Sequence, residues 1–400
     1  MSFNKLTIDD IDLKGKRVLI RVDFNVPVDN GVVADDTRLK ATLPTVSKTI
    51  ESGGKAILMS HLGRPKGQKK PEFSLKPVAE AFGNLLGKEV TFVDDCLGSK
   101  ATEAVNTMQD GDCLLLENLR FYPGEEKNDP EMAKSLAILA DVYVNDAFGA
   151  AHRAHASTAG VPLVVQPAVA GYLMKKEIEY LGNAVANPKR PFVAILGGAK
   201  ISGKIDVISN LMDKVNRILI GGGMAYTFFV AKNYNVGNSL VEKDRIDMAK
   251  EILTRAKSSK CQFVLPVDSM IATDIDSSAV NTKSAPAEKI PDGWMGVDIG
   301  PKTRSLFREK LADAKTVVWN GPMGIFEKTS FAKGTIEIAS ILSKITQKGA
   351  TTIVGGGDSA SAVKKAGFTD KITHISTGGG ASLEFLEGKE LPGVTALTDK

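Results

Sequence analysis

Three cysteines in 400 residues leave this chain without a covalent framework. Cys96, Cys113 and Cys261 are odd in number, far apart, and show no CxxC or Cys/His spacing. That pattern sets aside a disulfide scaffold and a zinc site, and the three read as reduced thiols in a reducing compartment. Charge of one sign is lacking too. Lysine and arginine number 51 against 47 acidic residues, and a net charge of +4 gives no reason to expect nucleic acid or a membrane surface as partner. The most apolar stretch, residues 159–174, is interrupted by Pro162, Gln166 and Pro167 and is too short to span a bilayer. The opening segment MSFNKLTIDDIDLKG has no apolar core of the kind a signal peptide needs. There is no low-complexity tract and no repeat at solenoid spacing. A cytoplasmic globular protein is expected.

What is present is a regular alternation. Hydrophobic content of 43% and charged content of 24% are ordinary for a globular chain, and the length exceeds what one core usually supports. Short runs rich in Val, Ile and Leu, such as 17–23, 55–60, 113–117, 192–197, 217–221, 316–319 and 351–355, alternate with helical patterns such as 37–52, 74–87, 242–258 and 332–347. Such runs, bounded by glycine and separated by helices, predict parallel sheets covered on both faces. The stretch 171–186 reads as one helix, stopped at Asn187-Pro188. The expectation is therefore an α/β protein with two Rossmann-like lobes, each a parallel sheet flanked by helices. Residues 1–170 form the first lobe. Residues 171–386 form the second and include the connecting helix 171–186. The tail, 387–400, shows no evident helix and is free to pack back on the first lobe.

The strand ends differ between the halves. After residue 190 they run into glycine: FVAILGGAKISGK, RILIGGGMAY, TTIVGGGDSASAV and HISTGGGASLEF. Glycine lets backbone N–H groups approach a phosphate, and a following helix N-terminus adds favourable dipole. In the first half the runs end in basic or amide residues: RVDFNV, SHLGRP, LENLRF and NDAFGAAHRAH. Arginine forks suit a small polyanion. The 198–204 loop, GAKISGK, misses the P-loop pattern because Ile205 stands where Ser or Thr would ligate magnesium. In the 355–360 loop, Asp358 lies among amides that would face pyrophosphate, which favours a magnesium–nucleotide complex over NAD. A dehydrogenase would also carry its glycine fingerprint in the first βα unit, where this chain has VDFNVP.

Taken singly, many of these residues have plain explanations. Lys200 and Lys204 belong to a lysine-rich chain, Arg38 fits an exposed helix start, and a lone histidine such as His61 is usually structural. Arg64 in the same loop as His61, Asp23 and Asn25 at a strand edge, and Arg120 and Arg153 in neighbouring loops together suggest a site.

The blocks RVDFNVP, DDTRLKATLPT, SHLGRPKG, LLENLRFYPGEE, NDAFGAAHRAHAS, GGAKISGKI, VWNGPMGIFE, IVGGGDSASAV and STGGGASLEFLEG closely resemble the signature blocks of the phosphoglycerate kinases, in that family's order, from residue 17 to 388. The resemblance implies that Asp23, Asn25, Arg38, His61, Arg64, Arg120 and Arg153 bind 3-phosphoglycerate or 1,3-bisphosphoglycerate. It implies ADP or ATP on Lys200, Lys204, Gly296, Asn320, Glu327, Gly356, Gly357, Asp358 and Ser359. Glu327 would hold the ribose hydroxyls and Asp358 would ligate Mg²⁺. Arg38, Lys204 and backbone amides of 378–380, Gly379 among them, would serve transfer itself. Ser359 stands where many members have threonine, which keeps the hydroxyl. A monomer with no nucleic-acid or membrane partner is implied. The alternative is a catalytically inactive nucleotide-binding homologue.

The expected chemistry needs no general base. A carboxylate is already ionised at neutral pH, since such groups titrate near ~4. The obstacle is charge, so the work lies in alignment and in stabilising the equatorial oxygens of the transferring phosphoryl group. Sites on separate lobes imply closure before transfer, with a hinge that includes the 171–186 helix.

Overall fold

The computed structural model describes residues 4–276 and 281–400. The chain folds as two compact units, one built from residues up to Glu179 together with Glu390–Lys400, the other from Tyr180–Lys389. The unit boundary falls inside the helix Tyr172–Ala186.

In the first unit six strands form one parallel sheet, in the order Thr91–Val93, Cys113–Leu116, Lys55–Met59, Arg17–Arg21, Val142–Asn145, Ala168–Ala170. Central strands such as Cys113–Leu116 and Val142–Asn145 are buried at every position, as strands covered by helices on both faces must be. Their side chains meet those of the flanking helices in a core that contains Ile20, Leu58, Val46, Val78 and the tilted ring pair Phe24–Phe82, with centroids 4.9 Å apart. In-register pairing of Arg21 with Met59 and with Asn145 brings neighbouring strands to an end at the same edge. The loops that follow them emerge side by side there, where open α/β sheets bind ligands.

The tail completes this unit. The N–H of Leu6 donates to Thr398 O at 2.9 Å, that of Thr398 to Ala168 O at 2.9 Å, and Asn145 Nδ2 to Gly393 O at 2.9 Å. A four-residue helix, Pro392–Thr395, lies in the tail where the sequence predicts none. It is too short to carry a 3.6-residue period, so its absence from the sequence reading has a physical cause.

The second unit repeats the plan. Its six parallel strands run in the order Gln262–Val264, Arg217–Ile220, Phe192–Leu196, Thr316–Asn320, Thr351–Gly355, His374–Ile375, around a core of Trp319, Phe307, Leu342 and Val354. Ile220, Leu196, Asn320 and Gly355 align across four neighbouring strands, so three of the glycine loops, those after Leu196, Ile220 and within 355–357, open at one edge. An antiparallel three-stranded sheet, Asp268–Ala272 with Thr282–Pro286 and Met295–Ile299, is added to the parallel frame.

Candidate active site

At the loop edge of the first unit, basic side chains converge. Arg38, in the first turn of helix Thr37–Glu51, donates from Nη1 to Asp23 Oδ2 at 2.8 Å and to Asn25 O at 3.2 Å. Asn25 Oδ1 accepts the N–H of Gly63 at 2.9 Å, and Arg120 Nη1 donates to Gly63 O at 2.8 Å. One hydrogen-bonded chain thus joins residues 23, 25, 38, 63 and 120, drawn from three strand-following segments and the start of helix Thr37–Glu51. His61 is buried, and its Nδ1 lies 3.1 Å from Arg21 Nη2. Burial holds the His61 pKa well below its ordinary value, and the charges of Arg21, Arg120 and Arg38 push the same way. The imidazole is therefore neutral inside a cationic basin. His155 is lowered to about 3 by burial and by Arg21, Arg120 and Arg153. Arg153 itself rests on His152 Nε2 at 3.1 Å. Arg64 is exposed and free of ion pairs among the described residues.

Arg21, His155, Ser157 and Glu125 were not among the sequence candidates. Arg21 is fully buried, its Nε donating to Ser157 Oγ at 2.8 Å. Ser157 Oγ in turn donates to Glu125 Oε1 at 2.6 Å, and the Glu125 carboxylate lies 3.9 Å from Arg21 and 3.7 Å from His155. The only sequence signal was an arginine at the end of an otherwise apolar run.

In the second unit the glycines divide into two kinds. A side chain at Gly221, Gly222 or Gly223 would collide with Met323, Gly198, Pro322 or Ala199, so this triplet serves loop-on-loop packing. Gly198, Gly203, Gly357 and Gly379 have open space where a Cβ would stand. Gly356 and Gly379 hold positive φ, 89° and 51°, immediately before the helices Gly357–Lys365 and Gly380–Leu386, whose first backbone N–H groups have no partner within their own helix and no side-chain cap. Lys204 is buried and its ammonium donates to Asn320 Oδ1. Burial lowers its pKa to about 8 against the opposing pull of Glu387 and Asp358. Asn320 Nδ2, beside Gly355 and Gly356, is buried without a partner among the described residues. Ser359 is fully buried, and its Oγ accepts the N–H of Gly321 at 2.7 Å. Lys200, Asp358 and Glu327 are exposed.

Gly296 comes from a different element, the antiparallel sheet. Its N–H donates to Ser239 Oγ at 2.9 Å, and a side chain there would overlap the Tyr226 hydroxyl.

Asp358, in the first turn of its helix, presents an exposed carboxylate to a divalent cation. No group of three or more His, Cys, Asp or Glu among the described residues forms a protein cage. The donor set fits Mg²⁺ bound through one carboxylate plus substrate phosphates, the usual arrangement for that ion.

Two Rossmann-like units, one edge lined with arginines and the other with open glycine loops, define a phosphotransferase. The phosphoglycerate kinase family model matches residues 8–389. The chain is 58% identical over 395 residues to the phosphoglycerate kinase of Chloroherpeton thalassium, covering 99% of both, and 57% identical over 397 residues to that of Thermosipho africanus, covering 99% of this chain and 98% of the other. Its fold is similar to the structure of phosphoglycerate kinase from Coxiella burnetii, with a TM-score of 0.87, 40% identity and 98% of each chain covered. The chain belongs to the phosphoglycerate kinase family. It is a kinase of glycolysis with a carboxyl group as acceptor, moving a phosphoryl group reversibly between 1,3-bisphosphoglycerate and ADP.

Proposed function

We propose that the basic edge of the first unit holds 3-phosphoglycerate or 1,3-bisphosphoglycerate, and that the open glycine loops of the second hold ADP or ATP with Mg²⁺. The observation that carries this reading is the field around His61. Three arginines, Arg21, Arg38 and Arg120, act on one buried neutral imidazole; each also faces a carboxylate, Glu125, Asp23 and Glu126 respectively, and the basic groups gathered there suit a phosphate. Asp23 and Asn25 fix the glycerate hydroxyl and carboxyl end, while His61, Arg64, Arg120 and Arg153 take the phosphate.

On the nucleotide side Lys200, Lys204 and the N–H groups from Gly356 to Ser359 take the phosphates. Asn320 offers its unpartnered Nδ2, Gly296 lies against the nucleotide with its backbone, and Glu327 meets the ribose. The Ser359 Oγ accepts from Gly321 and keeps its own O–H, so both that hydroxyl hydrogen and the backbone N–H remain as donors. Asp358 holds Mg²⁺, which supplies charge neutralisation at the phosphates when bound.

Transfer then follows from charge placement. The substrate carboxylate needs no base. Arg38, Lys204 and the Gly379 backbone N–H stabilise the equatorial oxygens as the phosphoryl group passes in line. The proposal requires the two substrates to meet out of bulk water, so binding of both is accompanied by closure. A monomer in the cytoplasm belongs to the same proposal. Its three cysteines are unpaired thiols, the state a reducing compartment maintains.

The direct experiment is a coupled assay with 3-phosphoglycerate, MgATP and the purified chain, following 1,3-bisphosphoglycerate through NADH-dependent reduction. Turnover abolished by EDTA and restored by Mg²⁺ is expected. Turnover that persists in EDTA would refute the metal assignment.

A further inference from the structure

Strand ends position most of the proposed nucleotide contacts, but Glu327 is an exception. It lies in the loop between strand Thr316–Asn320 and helix Lys333–Gln347, exposed and without a hydrogen bond or ion pair among the described residues. Its place therefore depends on how that loop is held.

Both ends of the loop close on one carboxylate. Asp298, on strand Met295–Ile299, is 2% exposed. Its Oδ2 accepts the N–H of Gly334 at 2.6 Å and its Oδ1 that of Ile299 at 2.8 Å. At the opposite end of the loop Gly324 packs so close that any side chain there would overlap the same carboxylate, as would one at Gly334. The neighbouring Val297 O accepts the N–H of Ile325 at 2.9 Å, and Met323 N–H donates to Thr335 Oγ1 at 3.0 Å. Lys328, next to Glu327, donates to Ile275 O and pairs with Asp276 at 2.8 Å.

A carboxylate this buried contributes little as packing, because the loss of its hydration offsets what it gains. Burial pushes Asp298 up to about 7, while the N–H groups of Gly334 and Ile299 and the charges of Arg304 and Lys333 pull it down. What the group does supply is a fixed separation between the two ends of the loop.

We propose that Asp298 is a positioning residue for nucleotide recognition: by clamping Gly324 and Gly334 to the antiparallel sheet it sets the point from which Glu327 meets the ribose. The inference rests on the assignment of Glu327 to the ribose hydroxyls made above.

The test compares wild type, Asp298→Asn and Glu327→Ala in steady-state assays with ATP, 2′-deoxy-ATP and 3′-deoxy-ATP. Asp298→Asn is expected to raise KM for ATP by about 3- to 10-fold, the worth of roughly one net hydrogen bond. It should leave kcat and the KM for 3-phosphoglycerate nearly unchanged and weaken the preference for ATP over the deoxynucleotides in the same sense as Glu327→Ala. If Glu327→Ala erases that preference and Asp298→Asn leaves it intact, the positioning role is overturned while the ribose assignment stands. If Glu327→Ala itself leaves the preference intact, the assignment and the inference built on it both fall. Asp298→Ser, smaller and with one oxygen acceptor, serves as second variant. Failure of both variants to yield folded enzyme would assign Asp298 to the stability of the fold and overturn the proposal.

Discussion

The ammonium of Lys204 donates to Asn320 Oδ1, while Asn320 Nδ2 stays buried with no acceptor among the described residues. One side chain thus holds a cation on one side and presents an unused donor on the other, at the ends of the central strands of the second sheet. Both groups are poised for an anion.

Lys204 sets an alkaline limit to activity. Burial brings its pKa down to about 8, so the ammonium is present at neutral pH and is lost as pH rises through that value. The phosphoryl oxygens then lose their counter-charge. The kcat/KM for ATP is expected to fall above about pH 8, with the limb for kcat displaced to higher pH because bound phosphates favour the charged form. Lys204→Arg should remove that limb, since guanidinium stays charged across the range. A pH–rate series on the two proteins checks both points, and a persistent limb in the arginine variant would place the titration elsewhere.

Arg38 joins the Asp23 carboxylate to the backbone of Asn25 and is only partly exposed. Arg38→Ala is expected to slow transfer by ~100–1000-fold, as loss of one charge-stabilising donor does. ADP affinity should stay within about twofold, because Arg38 belongs to the unit proposed to bind the acid. Calorimetric titration with MgADP beside the rate measurement separates the two. A fall in ADP affinity as steep as the fall in turnover would mean that Arg38 faces the nucleotide.

The sequence exposed the parallel frame because buried strands such as Phe192–Leu196 and Thr316–Asn320 are runs of apolar residues ended by glycine or amide. The antiparallel strands Asp268–Ala272, Thr282–Pro286 and Met295–Ile299 escaped notice. Thr282–Pro286 is exposed at four of its five positions, and the other two carry buried aspartates that break the apolar pattern. Helix Met224–Ala231 is apolar almost all round and has no period to read. Chemically informative residues in the loops were visible as clusters. Arg21, Glu125 and Asp298 were not, because each lies buried beside partners distant in sequence. Spacing does not reveal a charge whose counter-charge arrives from another loop.

Asp146 gives a test in the first unit. It is fully buried, its Oδ1 accepts the N–H groups of Leu173 and Met174 at 2.9 and 3.2 Å, and its Oδ2 has no partner among the described residues. Burial raises its pKa to about 7. A carboxyl raised above its unfolded value near 3.8 binds more protons folded than unfolded between those limits. Stability therefore declines as pH rises from about 4 to 7 and levels off above. Asp146→Asn keeps an Oδ1 acceptor and removes the charge, so its advantage over wild type should grow across that window to the order of 1–3 kcal/mol. Urea unfolding at several pH values measures it. Parallel curves for the two proteins would show that Asp146 ionises at its ordinary value in the fold.

Glu125 carries the last prediction. Its carboxylate is fully buried, accepts from Ser157 N at 3.0 Å and from Ser157 Oγ at 2.6 Å, and faces both Arg21 and His155. Removing Glu125 leaves the Arg21 guanidinium buried among other basic groups without its carboxylate. Glu125→Ala should destabilise the protein by about 3–5 kcal/mol, the usual cost of breaking a buried pair. Arg21→Met together with Glu125→Ala should recover much of that loss, because both charges go at once. A double-mutant cycle from denaturant unfolding gives the coupling directly. With the pair intact, Glu125 lowers the positive potential of the basin yet fixes Arg21 beside His61. Arg21→Met alone should therefore weaken 3-phosphoglycerate binding and reduce its dependence on salt. If Glu125→Ala costs under about 1 kcal/mol, the carboxylate is not compensating Arg21, and the buried cation must be satisfied by its contacts with Ser157, His61 and the backbone.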